Sequence, residues 1–381
     1  MALPISGTVN DNQAGILRPR KTATPLIING DMQIAQRGTS ATGLGTSQGY
    51  FTVDRFRFNE FGSSQTFRFT MSQETDSPTG QGFNKSLKIE TTTTEASLGA
   101  GNGLAIQYRM EGQNLQMLKK GTSDAESLTV SFWVKSAKTG TYILELFDFD
   151  NLRQISQAYT ISSANTWEKK VLSFAGDTTG ALDNDAENDF SLAFWLCAGS
   201  TYSSGTLNTS WASSTNANRA VGQVNLADST SNDFYITGVQ AEIGSFDVDS
   251  IPDFQFEDIG TSLARCMRYY ERNQGTGSNR EYFSIGIKRD SYSGSDATVS
   301  GIMTYKVRKR ATPTIGYNGA TSFVYTHGVS SENNFSSINI QNIGLDHARF
   351  QGEIGSTTAN SGGIIARREE TDRYYDIDAE L

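Results

Sequence analysis

A chain of 381 residues is longer than one ordinary domain and can bury a sizeable core. Its hydrophobic share of 36%, with 37 glycines and 6 prolines, is the balance of an all-β protein with many short strands and polar loops, not of a helical enzyme. A net charge of -9 argues against a general nucleic-acid binder, and no apolar run approaches the ~18 residues of a membrane-spanning helix, so neither nucleic acid nor membrane insertion is expected.

The opening stretch MALPISGTVNDNQ lacks the basic and apolar regions of a secretory leader, so folding in a cytoplasm is expected. Residues 1 to about 26 have almost no apolar periodicity, and 1–28 are expected as an N-terminal arm. They carry Arg18, Arg20 and Lys21 around Pro19 and ahead of Pro25, the composition of a floppy tail or of a basic arm that orders against a partner. From Leu26 the pattern turns to strands. LIINGDMQIAQRG reads as two short strands around a turn at Asn29-Gly30-Asp31. In YFTVDRFRFNEF, Val53 is out of phase with Phe56 and Phe58, which predicts a bend near Asp54 and Arg55.

QTFRFTMSQ, SLKIETTT, LAIQYRMEG, SLTVSFWVKSA, TYILELFDFD, RQISQAYTI, TWEKKVLSFAG, DFSLAFWLCAG and FYITGVQAEIG continue the series to residue 250. Their spacing and polar turns suit a jelly-roll β-sandwich over residues 29–250. In SLTVSFWVKS, Leu128, Val130, Phe132 and Val134 face one way, and Trp133 faces the other with Thr129, Ser131 and Lys135. In FYITGVQAEIG the apolar parity flips at Gly238, from Phe234 and Ile236 to Val239, Ala241 and Ile243, the sequence mark of a β-bulge.

Residues 251–273 read as an acidic linker and a helix. Ile259, Leu263, Cys266, Met267 and Tyr270 form one stripe over about four turns, with Asp258 as N-cap. The stripe is either an intrachain packing face or a three-fold contact. Residues 274–381 form a second, smaller β domain with a thin core, a kind of domain that often gains burial by oligomerising.

Chemistry-bearing patterns are few. GLGTSQG at 43–49 lacks the lysine of a phosphate loop. Glu145, Asp148 and Asp150 are read as a solvated strand edge rather than a glycosidase pair. Asp183, Asp185, Glu187 and Asp189 alternate as calcium ligands do, or make a solvated acidic loop; no other metal and no cofactor is expected. Loop 200–223 carries Tyr202 and Trp211 among Ser, Thr and Asn, where an aromatic either stacks on a sugar ring or caps the sandwich edge. Cys197 and Cys266 are expected as buried free thiols, and His327 and His347 as structural residues.

Taken together, NGDMQIAQRG through YFTVDRF, the polar β-rich middle and FYITGVQAEIG resemble the carbohydrate-binding-module-like domain of tailed-bacteriophage tail fibres and fibre-like virion proteins. FEDIGTSLARCMRYYE resembles the helix that joins that domain to a distal β domain, and RATPT and DIDAEL are also typical. The resemblance implies a non-enzymatic virion structural protein, usually a homotrimer. It implies a role in host attachment, with surface glycans as one partner and other virion proteins, reached through the basic arm, as another. A structural adaptor or capsid decoration protein is the alternative, and a depolymerase a more remote one. Unlike many host-recognition fibres, the chain has no repetitive shaft.

Overall fold

The computed structural model describes residues 21–275, 277, 280–289, 296–327, 331–355 and 362–381. Arg18 and Arg20 lie outside these residues. Strands β1 (Ser40–Leu44), β2 (Phe56–Phe61), β3 (Arg68–Glu74), β4 (Ser86–Thr93), β5 (Gly103–Glu111) and β6 (Leu128–Ser136) come first in the chain. Then follow β7 (Gly140–Asp148), β8 (Arg153–Ile161), β9 (Glu168–Phe174), β10 (Asn188–Ala198), the helical turn α1 (Ser200–Ser203), β11 (Ala212–Ser213) and β12 (Asp233–Ile243). They form two six-stranded sheets, ordered β1-β3-β4-β12-β6-β9 and β11-β8-β7-β10-β5-β2. The strands of both sheets pair antiparallel, and alternate residues of each face the space between the sheets. Phe58, Phe69, Ile106, Phe132, Phe194 and Phe234 are fully buried there. The all-β sandwich expected from the alternation is what the chain forms.

The bend at Asp54-Arg55 is present, with Arg55 at φ 73°. The two strands expected between Leu26 and Gly38 are not formed. The segment is a buried coil because the Asn29 side chain, not a neighbouring strand, takes its backbone groups. Asn29 Nδ2 donates to Ile34 O (2.9 Å) and Asp54 O (3.0 Å), and Ile34 N donates to Asn29 Oδ1 (2.8 Å).

Helix α2 (Ile259–Met267) is shorter than expected. Asp258 caps it, its Oδ1 accepting from Gly260 N and Thr261 N, both at 3.0 Å. The buried face is Ser262, Cys266 and then Tyr269, while Ile259 is 61% exposed. Cys266 and Tyr269 pack with Ile28, Ile34 and, at the edge, Leu263, so the helix packs within the chain. Tyr270 is not helical. It opens strand β13 (Tyr270–Gln274), because pairing with a strand from the end of the chain captures the backbone first.

The remaining strands are β14 (Glu281–Arg289), β15 (Asp296–Thr304), β16 (Thr314–Tyr317), β17 (Phe323–His327), β18 (Ser331–Gln341), β19 (His347–Gly355), β20 (Gly362–Arg367) and β21 (Tyr374–Asp378). Six of them close a barrel in the order β14-β15-β19-β18-β17-β20, and β13-β21-β16 make a separate sheet beside it. That sheet is tied to the sandwich. Glu380 accepts from the buried Arg55 and from Arg37 (3.4 Å), and Arg37 also reaches Asp378 (3.0 Å) and stacks over the Tyr270 ring at 3.4 Å.

Candidate functional site

The outer face of the first sheet carries the most site-like arrangement of the molecule. Because Val130, Phe132 and Val134 point into the core, Ser131, Trp133 and Lys135 must point out. Beside them runs β12, whose register against β6 shifts between Thr237 and Gln240. Gly238 sits at φ 60° in that shift, so the bulge read from the parity flip is real. The amide freed at Val239 donates to Gly30 O (2.9 Å). The flip returns Val239 and Ala241 to the core and turns Gln240 outward, opposite Ser131.

Two distant segments wall this spot. Phe83 comes from the loop before β4, and Phe254 and Phe256 come from the linker before α2. The three rings meet in pairs, with centroids 4.8 to 5.2 Å apart. They enclose, with Trp133, Lys169, Gln81 and Asp253, a groove of about 240 Å³ over Gly238 and Gln240. Phe256 is 49% exposed. Gln240 lies in the floor, 6% exposed, and its Nε2 donates to Pro252 O (2.9 Å). Its Oε1 is buried with no hydrogen-bond partner. An unsatisfied buried acceptor costs ~1–3 kcal/mol, so a donor supplied from outside would be held strongly there.

The face continues along the sheet. Tyr235 lies opposite both Lys88 and Lys135, and the Lys135 ammonium sits 4.1 Å from the Tyr235 ring centroid. Trp167 meets Tyr235 edge-on at 6.2 Å, and its Nε1 donates to Asp76 Oδ1 (3.0 Å). Lys135 also pairs with Asp76. Aromatic faces for C–H surfaces and amide, hydroxyl and charged groups for hydroxyls thus stand side by side.

The larger cavity, about 710 Å³, lies where residues 21–26 and α2 meet β5. Most of its charges are already paired, Arg109 excepted, which donates to Gln107 Oε1 (2.8 Å). Lys21 meets Glu126 (2.6 Å), Arg265 meets Glu257 (2.6 Å), and Arg268 grips Glu111 through Nε (2.9 Å) and Nη2 (2.7 Å). Tyr269 Oη also donates to Glu111. Burial alone would push the Glu111 carboxyl up, but Arg268, Tyr269 and Gln113 outweigh it and hold it below the usual range. A depressed carboxylate contributes stability that is full above its unfolded pKa, ~4.3, and is lost as pH falls through the folded value. The melting temperature should therefore drop on acidification below about pH 4.3, and drop less steeply in Glu111→Gln. Equal slopes in both proteins would assign the acid transition to other carboxylates.

The residues singled out in the sequence lie elsewhere. Trp211 caps the sandwich edge: its Nε1 donates to Ala175 O (2.8 Å) and its ring lies 6.0 Å from Phe190. Tyr202 packs on Phe61 (5.0 Å) and Trp195 (5.4 Å) in a separate cluster, so the two aromatics share no platform. Glu145 and Asp148 are not solvated but fully buried, each neutralised by a cation from another segment. Arg219 grips Glu145 through Nε (2.8 Å) and Nη2 (2.9 Å), and Lys120 bonds Asp148. Asp189, expected in an exposed acidic loop, is 1% exposed at the start of β10. Burial and the charges of Asp150 and Asp185 push its carboxyl up to about 7. Asp183, Asp185 and Glu187 remain exposed, and among the described residues no three His, Cys, Asp or Glu side chains group as metal ligands. Cys197 and Cys266 are buried free thiols. His347 is exposed on β19, and the His327 side chain lies outside the described residues.

The groove itself was missed from sequence, although the outward Trp133 and the flip at Gly238 were both legible. What no local pattern shows is that Phe83 and Phe254 close over them.

No family model matches the chain, and no curated protein matches it. Solved structures that show similarity include the enzymatically active domain of tailspike protein 4 of bacteriophage CBA120, at 14% identity and a TM-score of 0.29. That match covers 57% of this chain and 21% of the tailspike chain. A putative sugar binding protein from Bacteroides thetaiotaomicron matches at 10% identity over 58% of this chain and 100% of its own, with a TM-score of 0.31. The family 11 carbohydrate-binding module of Clostridium thermocellum, in complex with a mixed-linked tetrasaccharide, matches at 11% identity over 55% and 99%, with a TM-score of 0.28. Each likeness is distant.

Proposed function

We propose that the chain is a non-enzymatic component of a bacteriophage tail fibre, working as a homotrimer on the virion, and that it attaches to host surface glycans through the groove over Gly238. The observation that carries the glycan reading is the buried, unpartnered Oε1 of Gln240, in the floor of a groove that Trp133 and Phe256 also line. It offers one directed acceptor to a sugar hydroxyl while the rings take the apolar face of the sugar. The fibre reading is supported by the resemblance of the strand, acidic linker and C-M-R-Y-Y segment to tail-fibre sequences. A binding role, rather than hydrolysis, is supported by the pairing of Glu145 and Asp148 with Arg219 and Lys120, which leaves neither free as an acid or base. The basic arm beginning before Lys21 is the part that docks on the virion. Single sites of this size bind weakly, and several copies on one fibre raise the avidity.

Trp133→Ala tests the glycan reading. A central aromatic anchor contributes on the order of 2 kcal/mol, so binding to a host-glycan array should weaken ~30-fold. The ring is half-buried on the outer face and, unlike Trp211, is not packed against the sandwich core, so the melting temperature should stay close to that of the parent. Trp211→Ala should do the reverse and lower stability at intact binding. If the parent protein binds neither array nor host cells, it is a structural adaptor and the glycan reading fails.

A further inference from the structure

The groove over Gly238 is electrically polarised. The strands of the first sheet carry four lysines, Lys88, Lys135, Lys169 and Lys170. Three of them hold a carboxylate. Lys88 meets Glu90 (3.2 Å), Lys170 meets Glu168 (2.6 Å), and Lys135 pairs with Asp76. Lys169 is the exception: among the described residues its ammonium has no carboxylate and no hydrogen-bond acceptor. It stands directly opposite Trp133 in the ladder of β6 with β9, and it lines the groove. The other end is built differently. Asp253 follows Pro252, whose carbonyl takes the Nε2 hydrogen bond of Gln240 (2.9 Å). Asp253 is exposed, and no cation of the described residues pairs with it. Gln240 on β12 and Lys169 on β9 lie two strands apart, roughly 10 Å across the sheet, with β6 and its Trp133 between them. One end of the groove therefore offers acceptors, Gln240 Oε1 and the Asp253 carboxylate, and the other offers an unpaired cation.

We infer that the groove selects an acidic glycan, one with a carboxylate-bearing sugar unit. The carboxylate lies on Lys169, the apolar face of the ring on Trp133, and hydroxyl or N–H donors point to Gln240 and Asp253. The inference rests on the glycan reading of this groove and adds the class of sugar to it. A neutral sugar would cover Lys169 and strip water from its ammonium without returning a counter-charge. A carboxylate returns it through a charge-assisted hydrogen bond, roughly twice as strong as a neutral one. The groove lining holds one lysine and no arginine, which suits a singly charged carboxylate better than a doubly charged phosphate. Asp253 sets the direction, because it repels an anion from the β12 end and leaves the β9 end to it. The net charge of -9 opposes any anion at long range. That field is screened beyond ~8 Å at physiological ionic strength, so the selection is made by contact at Lys169.

The test titrates the full chain with oligosaccharides that carry uronic or sialic acid, each beside its counterpart with the carboxyl reduced to an alcohol. Acidic members should bind, and reduction should weaken that binding about tenfold, the worth of one charge-assisted hydrogen bond. Lys169→Gln should bind both members of a pair equally, at the level of the parent with the reduced sugar. Lys169→Arg should keep the preference. Trp133→Ala should weaken both members alike and leave their ratio unchanged. A parent that binds reduced or neutral sugars as tightly as acidic ones overturns the inference and leaves the glycan reading standing. A preference that survives in Lys169→Gln overturns it too, since the anion then sits on another cation. A parent that binds no sugar of either kind, nor any on a host-glycan array, takes the glycan reading down with it. The ratio in the parent decides the matter even where a variant does not fold.

Discussion

Arg55→Met should be among the most destabilising single changes in this chain, at about 3–5 kcal/mol, because it removes one partner of a buried ion pair. The Arg55 side chain is 1% exposed and Glu380 is 5% exposed. Arg55 also donates to Arg109 O (2.6 Å) and lies 3.5 Å from the Tyr269 ring centroid. Methionine keeps the volume and loses all three contacts, leaving the Glu380 carboxylate with Arg37 alone at 3.4 Å. Urea unfolding followed by tryptophan fluorescence measures the loss. Hydrogen exchange should rise first in Asp376–Leu381, the strand end that Glu380 pins. Adding Glu380→Gln should recover part of the loss, since no charge is then buried without a counterion. A loss under ~1 kcal/mol, the range of an exposed pair, would show that the β21 ladder holds this end without the arginine.

Gly238→Val should be nearly as costly, and it should also abolish the proposed binding. The position holds φ at 60°, where a β-branched residue is an outlier. A Cβ there would stand 2.6 Å from Phe83 Cζ, and Phe83 is itself packed against Phe254 and Phe256. Strain and overpacking together should cost about 3 kcal/mol. Displacing Phe83 removes a wall of the groove, so glycan binding should fall further than in Trp133→Ala. Gly238→Asn separates the two causes, because asparagine tolerates positive φ but brings the same Cβ. If Asn is mild and Val severe, the backbone angle dominates; if both are severe, the contact with Phe83 does. Retained binding in an unstable Gly238→Val would dissociate the groove from the bulge.

What could be read from the sequence was local. Alternation in SLTVSFWVKS placed Trp133 outward, the parity flip located the bulge, and Asp258 marked the helix start. What could not be read was which distant residue answers each polar group. Glu145 and Asp148 look like a solvated edge until Arg219, 74 residues away, and Lys120, 28 residues away, bury them. The Leu26–Gly38 segment looks like strands because its apolar residues are core residues, yet Asn29 folds it as coil. The apolar stripe ran past Met267 because Tyr270 is buried, but it is buried as the first residue of a strand. The groove joins loops that a periodicity argument treats one at a time.

The sheet beside the barrel has one more consequence. The chain leaves β13 at Gln274 and re-enters β21 at Tyr374, and these two residues are partners in the same ladder. Between them the chain forms the barrel and returns once, where Lys309 bonds Met267 O (2.5 Å) and the buried Glu271 (2.8 Å), Arg310 reaches Ala186 O (2.6 Å) and β16 pairs with β21. A segment whose ends already meet can be replaced by recombination without moving the rest of the backbone. The sandwich and the barrel can therefore diverge at different rates. An incoming segment needs ends that meet, one strand to take the place of β16 on the far side of β21, and a cation to replace Lys309 against the buried Glu271.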